Sequence, residues 1–180
     1  MHTWEEKRKF AVMKKTTQEQ LKLLFICLGN ICRSPAAHAV MQHMVDAEGL
    51  HDKFMIDSAG IGAWHIGQLP DHRMREHGYR RGYHIDHRAR QFDAETDFQH
   101  FDYIVVMDAE NYRDICRQAH NADERQQVVC MADFMTAHPE ANCVPDPYYG
   151  GPKDFEKALD LIEDGCRGLL HQWCKGTLHI

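Results

Sequence analysis

The sequence predicts an α/β protein: a four-stranded parallel sheet flanked by helices in a three-layer, doubly wound arrangement. Four short runs are too uniformly apolar for strands with one wet face and suit strands buried on both sides. Segments with helical spacing lie between them, and such alternation closes into a parallel sheet through right-handed crossovers. At 180 residues the chain fits one domain with a full core better than two.

Residues 1–20 are polar with both signs of charge (Glu5, Glu6, Lys7, Arg8, Lys9), and they read as a peripheral arm without chemistry. A single domain follows over 21–180. The first strand is expected at 21–28. The first helix follows over 34–48, with Pro35 in its opening turn and Gly49 just past its end, the usual asymmetry of helix termini. The second strand covers 54–56 and leads into Asp57-Ser58; the third covers 103–107 and the fourth 128–131. Other helices begin near Asp71, near Glu110 and at Asp154, the last running toward Trp173. In sheets of this kind ligands bind beyond the carboxyl ends of the strands. That rule selects the segment from Cys27 onward, the turn at Ser58 and the turn after Met107-Asp108.

Composition narrows the class of partner. A net charge of −6 leaves no basic excess to hold a nucleic-acid backbone. The seven cysteines are odd in number and follow no regular disulfide framework, so a reducing, cytoplasmic compartment is expected. The apolar stretch 23–28 is far shorter than the ~20 residues of a membrane helix, and no membrane partner is expected. The expected state is a monomer.

The segment Cys27-Leu28-Gly29-Asn30-Ile31-Cys32-Arg33-Ser34-Pro35 joins the first strand to the first helix. It ends at a helix N-terminus, where unpaired N–H groups and the helix dipole favour an anion. Gly29 permits the backbone angles a phosphate cradle needs, and Asn30 is among the few other residues that tolerate positive φ. Arg33 offers a planar fork matched to two phosphate oxygens. A sulfur at Cys27 would sit inside this ring of donors, which favours its ionised form, and the Ser34 hydroxyl could donate to it. The expected ligand is inorganic phosphate or another oxyanion.

The string FICLGNICRSP resembles the active-site loop of the low-molecular-weight protein tyrosine phosphatases. The resemblance continues through DSAG at 57–60, Trp64-His65-Ile66-Gly67, Pro70-Asp71-His72-Arg73, His87-Arg88-Ala89-Arg90-Gln91, Phe101-Asp102-Tyr103, Met107-Asp108 with Asn111, and Asp146-Pro147-Tyr148-Tyr149-Gly150. It implies a flavodoxin-like fold and hydrolysis of phosphotyrosine in a protein substrate through a phosphocysteine. Cys27 would be the nucleophile, Arg33 the phosphate clamp and Asp146 the general acid. Leu28, Gly29, Asn30, Ile31, Cys32 and Ser34 would complete the loop, with Ser58 and His87 supporting it through hydrogen bonds. Trp64, Tyr148 and Tyr149 would wall the cleft. The resemblance also implies a reversible disulfide between Cys27 and Cys32.

The chemistry asks for these residue types independently. A phenolate leaving group, with pKa ~10, departs faster when a positioned acid protonates it. Asp146 stands between Pro145 and Pro147, which stiffen its loop. No metal or cofactor is needed, and no cysteine–histidine spacing matches a zinc pattern. His38 stands where the resembled family usually carries a glutamate, and the position is expected to point away from the phosphate. Two relatives of the same fold remain alternatives. Thioredoxin-coupled arsenate reductases lack the Asp-Pro-Tyr loop, and protein arginine phosphatases tend to carry threonine at the place of Ile31.

Overall fold

The computed structural model describes residues 20–178; the polar arm, apart from Gln20, lies outside them. Four parallel strands form the sheet: β1 (Leu21–Cys27), β2 (Phe54–Gly60), β3 (Tyr103–Val106) and β4 (Val128–Cys130). Their order is β2-β1-β3-β4. Among the described residues six α-helices surround them: α1 (Arg33–Ala47), α2 (His72–Arg80), α3 (Ala94–His100), α4 (Ala109–Gln118), α5 (Ala122–Gln127) and α6 (Pro152–Cys174).

Alternation along β1 divides the core in two. Leu21, Leu23, Phe25 and Cys27 face the layer of α1 and α6, where Val40, Met41, Phe155, Leu159 and Ile162 are fully buried. Leu24 and Ile26 face the opposite layer, against Phe98 of α3 and Ile115 of α4. Burying each such side chain contributes roughly 1.5–3 kcal/mol, so β1 is held from both faces. On the first side α6 lies close enough to the short 3₁₀ turn Met131–Phe134 that a Cβ at Gly168 would overlap the Phe134 carbonyl.

The strand and helix positions expected from sequence are present, with shifts at their ends. β2 runs to Gly60, four residues beyond the apolar run 54–56, because its later residues Asp57 and Ser58 turn their polar groups to specific partners. The two helices missed, α3 and α5, are seven and six residues long, too short for a clear period. The strand order reverses between β2 and β3 around β1, so a crevice opens at the carboxyl end of β1. Cys27 is the last residue of that strand.

Candidate active site

The loop leaves β1 at Cys27 and enters α1 at Arg33. Four of the six helices begin with a side-chain cap, from Asp71, Asp93, Asp108 and Asn121, and α6 uses Asp154 Oδ2 to accept from the Gly151 N–H at 2.8 Å. Helix α1 has neither a capping side chain nor an acid in its first turn. Its first-turn amides therefore remain available to an anion. The Cys27 sulfur lies within this turn, with Sγ 3.0 Å from the Ser34 hydroxyl.

Asn30 holds the loop in shape. It is fully buried at φ +57°, the left-handed region, where asparagine is tolerated better than most residues. Its Nδ2 donates to Ser34 Oγ at 2.8 Å and to Ser58 Oγ at 3.1 Å, and its Oδ1 accepts from the Arg90 N–H at 3.0 Å. Gly29, expected to take the special backbone angle, does not have positive φ; Asn30 absorbs the turn instead. The critical glycine is Gly60 at the end of β2, where a Cβ would stand 2.9 Å from the Gly29 carbonyl carbon. Without a side chain at Gly60, the end of β2 can press against the loop backbone, and the Ile61 and Gly62 amides bond the Cys27 and Leu28 carbonyls at 3.1 and 2.8 Å.

The expected place of His87 in this web needs correction. Its Nδ1 is 3.7 Å from Asp57 Oδ1, its Nε2 is buried without a hydrogen-bond partner, and it bonds none of Asn30, Ser34 or Ser58. His38 takes the position instead, with Nδ1 3.3 Å from Ser58 Oγ and its ring 5.1 Å from that of His87. His38 is absent from the cleft lining and is linked to the loop through Ser58. Burial, and then the facing His87, push the His38 imidazole down to about 4 against the pull of Asp57 and Asp86, so it is neutral near pH 7.

Arg33 is 2% exposed and joins three elements. Its Nη1 donates to Asp108 Oδ2 at 2.6 Å and to the Val144 carbonyl at 3.0 Å, while Nη2 lies 3.6 Å from Asp146 Oδ2. Burial works against its charge, but Cys27, Asp108 and Asp146 outweigh that and hold the guanidinium more firmly protonated than usual. The sequence marks Asp108 by the turn at the end of β3 and by the family resemblance, without a partner for it. Asp108 also caps α4, so one carboxylate fixes both a helix start and the Arg33 guanidinium.

The segment carrying Asp146 is anchored on both sides. The Val144 N–H bonds the Met107 carbonyl at 2.8 Å, and the Tyr148 N–H bonds Asp146 Oδ1 at 3.1 Å. Arg73 pairs with Asp71 at 2.9 Å, donates to the Tyr148 carbonyl at 2.9 Å and lies over the Tyr148 and Phe155 rings. The Asp71 N–H in turn bonds the Ile31 carbonyl at 2.7 Å, tying this brace to the loop. The resemblance takes in Asp71 and Arg73 without giving them a role, since only their tertiary partners reveal the brace.

These parts enclose a cleft of about 320 Å³, within the usual range for small-ligand sites. Its floor is Cys27, Gly29, Ile31, Cys32 and Arg33; Leu28, Trp64, His65, Asp146, Tyr148 and Tyr149 form the walls. His65, unassigned from sequence, reaches over Gly29, with Cδ2 3.0 Å from where a Cβ would stand there. Both loop cysteines are free thiols. Burial first, then the charges of Asp71, Cys27 and Asp146, push the Cys32 thiol far up. Cys32 is therefore a protonated, poorly nucleophilic neighbour of Cys27.

Residues 22–177 match the low molecular weight phosphotyrosine protein phosphatase family. The low molecular weight phosphotyrosine protein phosphatase of Schizosaccharomyces pombe is 43% identical over 153 residues, covering 84% of this chain and 96% of its own. The Bacillus subtilis low molecular weight protein-tyrosine-phosphatase YfkJ is 40% identical over 150 residues, covering 83% and 94%. A crystal structure of a protein tyrosine phosphatase from Entamoeba histolytica, with Hepes in the active site, superposes with a TM-score of 0.84 at 43% identity, covering 88% of this chain and all of that one. With its fold, its loop and these relatives in agreement, the chain belongs to the low molecular weight phosphotyrosine protein phosphatase family.

Proposed function

We propose that the chain hydrolyses phosphotyrosine in proteins, and small aryl phosphates, through a phosphocysteine at Cys27. The reading rests chiefly on the convergence of the Cys27 sulfur, the Arg33 guanidinium and the Asp146 carboxyl group on one cleft. Phosphoryl transfer asks mainly for positioning and charge stabilisation, and this cleft supplies both.

In the first step the sulfur attacks phosphorus in line, the S–P bond forms and the P–O bond to the phenol breaks. Arg33 and the first-turn amides of α1 hold the three equatorial oxygens. Asp146 gives its proton to the departing phenolate. In the second step Asp146 takes a proton from water, the water oxygen attacks phosphorus, and sulfur leaves with the hydrogen bond of Ser34 stabilising its charge. Phosphate is released and Asp146 is again protonated. Trp64, Tyr148 and Tyr149 offer flat faces to the ring of the substrate. The described residues include no helix long and apolar enough to cross a membrane.

The test is a substrate panel of phosphotyrosine, phosphoserine and phosphoarginine peptides plus arsenate with thioredoxin, run with and without reductant. Phosphotyrosine is expected to be turned over fastest. The Cys27→Ser variant is expected to lose turnover entirely while still binding inorganic phosphate. Faster arsenate reduction or phosphoarginine hydrolysis would replace this reading.

A further inference from the structure

We propose that His38, Asp57 and His87 form a binding site for a divalent transition metal of the zinc type, behind the phosphate loop and separate from the cleft. One nitrogen from each imidazole and one carboxylate oxygen all lie within 4.8 Å of one another. Two imidazoles and a carboxylate are a donor set suited to zinc, and three protein ligands leave a fourth position for water. No sequence spacing could reveal the group, because its members come from α1, from β2 and from the segment between α2 and α3.

An independent observation points to a missing partner. His87 Nε2 is buried and has no hydrogen-bond partner among the described residues. A buried polar atom left this way costs about 1–3 kcal/mol, and an ion is one of the ordinary explanations for it. The neighbouring groups fit a supporting shell. Arg90 Nε donates to Asp57 Oδ2 at 3.0 Å, and the Ser58 N–H donates to Asp57 Oδ1 at 2.8 Å. The charge of Arg90 is shared with Asp97, whose oxygens lie 3.0 and 3.2 Å from its terminal nitrogens, so Asp57 is not fully neutralised by it. A cavity of about 240 Å³, lined by His38, His43, Asp46, His84, Asp86 and His87 among others, offers an entry path rich in imidazole and carboxylate.

Zinc bonds of ~2.0–2.2 Å set tetrahedral ligand atoms about 3.3 Å apart, so separations of up to 4.8 Å must close by up to about 1.5 Å. Small rotations of the two imidazoles can supply that, since both are only partly buried. Ser58 Oγ lies 3.3 Å from His38 Nδ1 and 3.1 Å from Asn30 Nδ2, which puts the site one hydroxyl away from the phosphate loop.

The experiment uses the full chain, reduced, with Zn²⁺ as the probe. Side-chain ¹⁵N resonances of His38 and His87 are followed by NMR up to one equivalent and then after chelation. Calorimetric affinity is compared between the wild type and His38→Gln. The expected result is a reversible shift of both imidazoles in the wild type and an affinity lower by about tenfold or more in the variant, as loss of a ligand should cost at least what loss of a supporting group does. Unshifted His38 and His87 resonances would overturn the proposal by assigning any bound zinc to the cysteines. The NMR arm needs no variant, so misfolding of His38→Gln would leave it decisive, and equal affinity in a folded variant would equally overturn it.

Discussion

Arg33 in the floor of the cleft, with Asn30 and Ser34 behind it, is 0–2% exposed like them, and the three are tied to β2, to Asp108 after β3 and to the segment of Asp146. At the rim of the cleft Trp64 is 68% and Tyr149 94% exposed. The two regions meet in one cleft yet obey different physics. The floor must hold donors where charge develops, and preorganised dipoles are effective only when packing prevents their relaxing. The rim contributes apolar area and flat faces, which tolerate motion and exchange. Damage to the floor should therefore appear in turnover and stability, and damage to the rim in substrate affinity.

Asp146 tests the boundary, since it is exposed but held beside the buried Arg33. Asp146→Ala is expected to lower kcat for phenyl phosphate by about 10²–10⁴-fold, and for 4-nitrophenyl phosphate by less, because the better leaving group needs less protonation. Equal losses for both esters in steady-state assays would remove Asp146 from the role of acid.

Asn30 tests the floor. Asn30→Ala removes three hydrogen bonds and leaves a left-handed backbone without a tolerant residue. A stability loss of about 1–3 kcal/mol is expected in urea denaturation. Asn30→Gly, which relieves the backbone but not the lost bonds, should recover part of it. A variant as stable as the wild type would mean that the loop is held by its backbone alone.

Trp64 tests the rim and should show the smallest effect. Trp64→Ala is expected to raise KM for a phosphotyrosine peptide several-fold while kcat stays within about twofold, the pattern of lost uniform binding. A fall in kcat rivalling that of Asp146→Ala would erase the distinction between floor and rim.

Much of the floor was legible because its residues are contiguous. Cys27 through Ser34 form a single strand-to-helix turn, and local sequence dictates local donors there. The acid segment was legible through its prolines and the family resemblance. Asp108 was half legible, since the ends of strands point to a site but not to a particular pairing with Arg33. The brace of Arg73 and Asp71, the reach of His65 over Gly29 and the exchange of roles between His38 and His87 left no trace in spacing.

By itself the sequence determined the elements: uniformly apolar runs make doubly buried strands, Pro35 and Gly49 bound the first helix, and a cysteine and an arginine in the loop before that helix mark an anion site. Tertiary structure alone decided which carboxylate meets Arg33, which residue bends the loop and which histidine bonds Ser58. The reason is range. Period, capping and turn chemistry act over a few residues, whereas these contacts join atoms 20 to 111 positions apart, and only the packing of α1, β2 and the acid segment around β1 sets their distances.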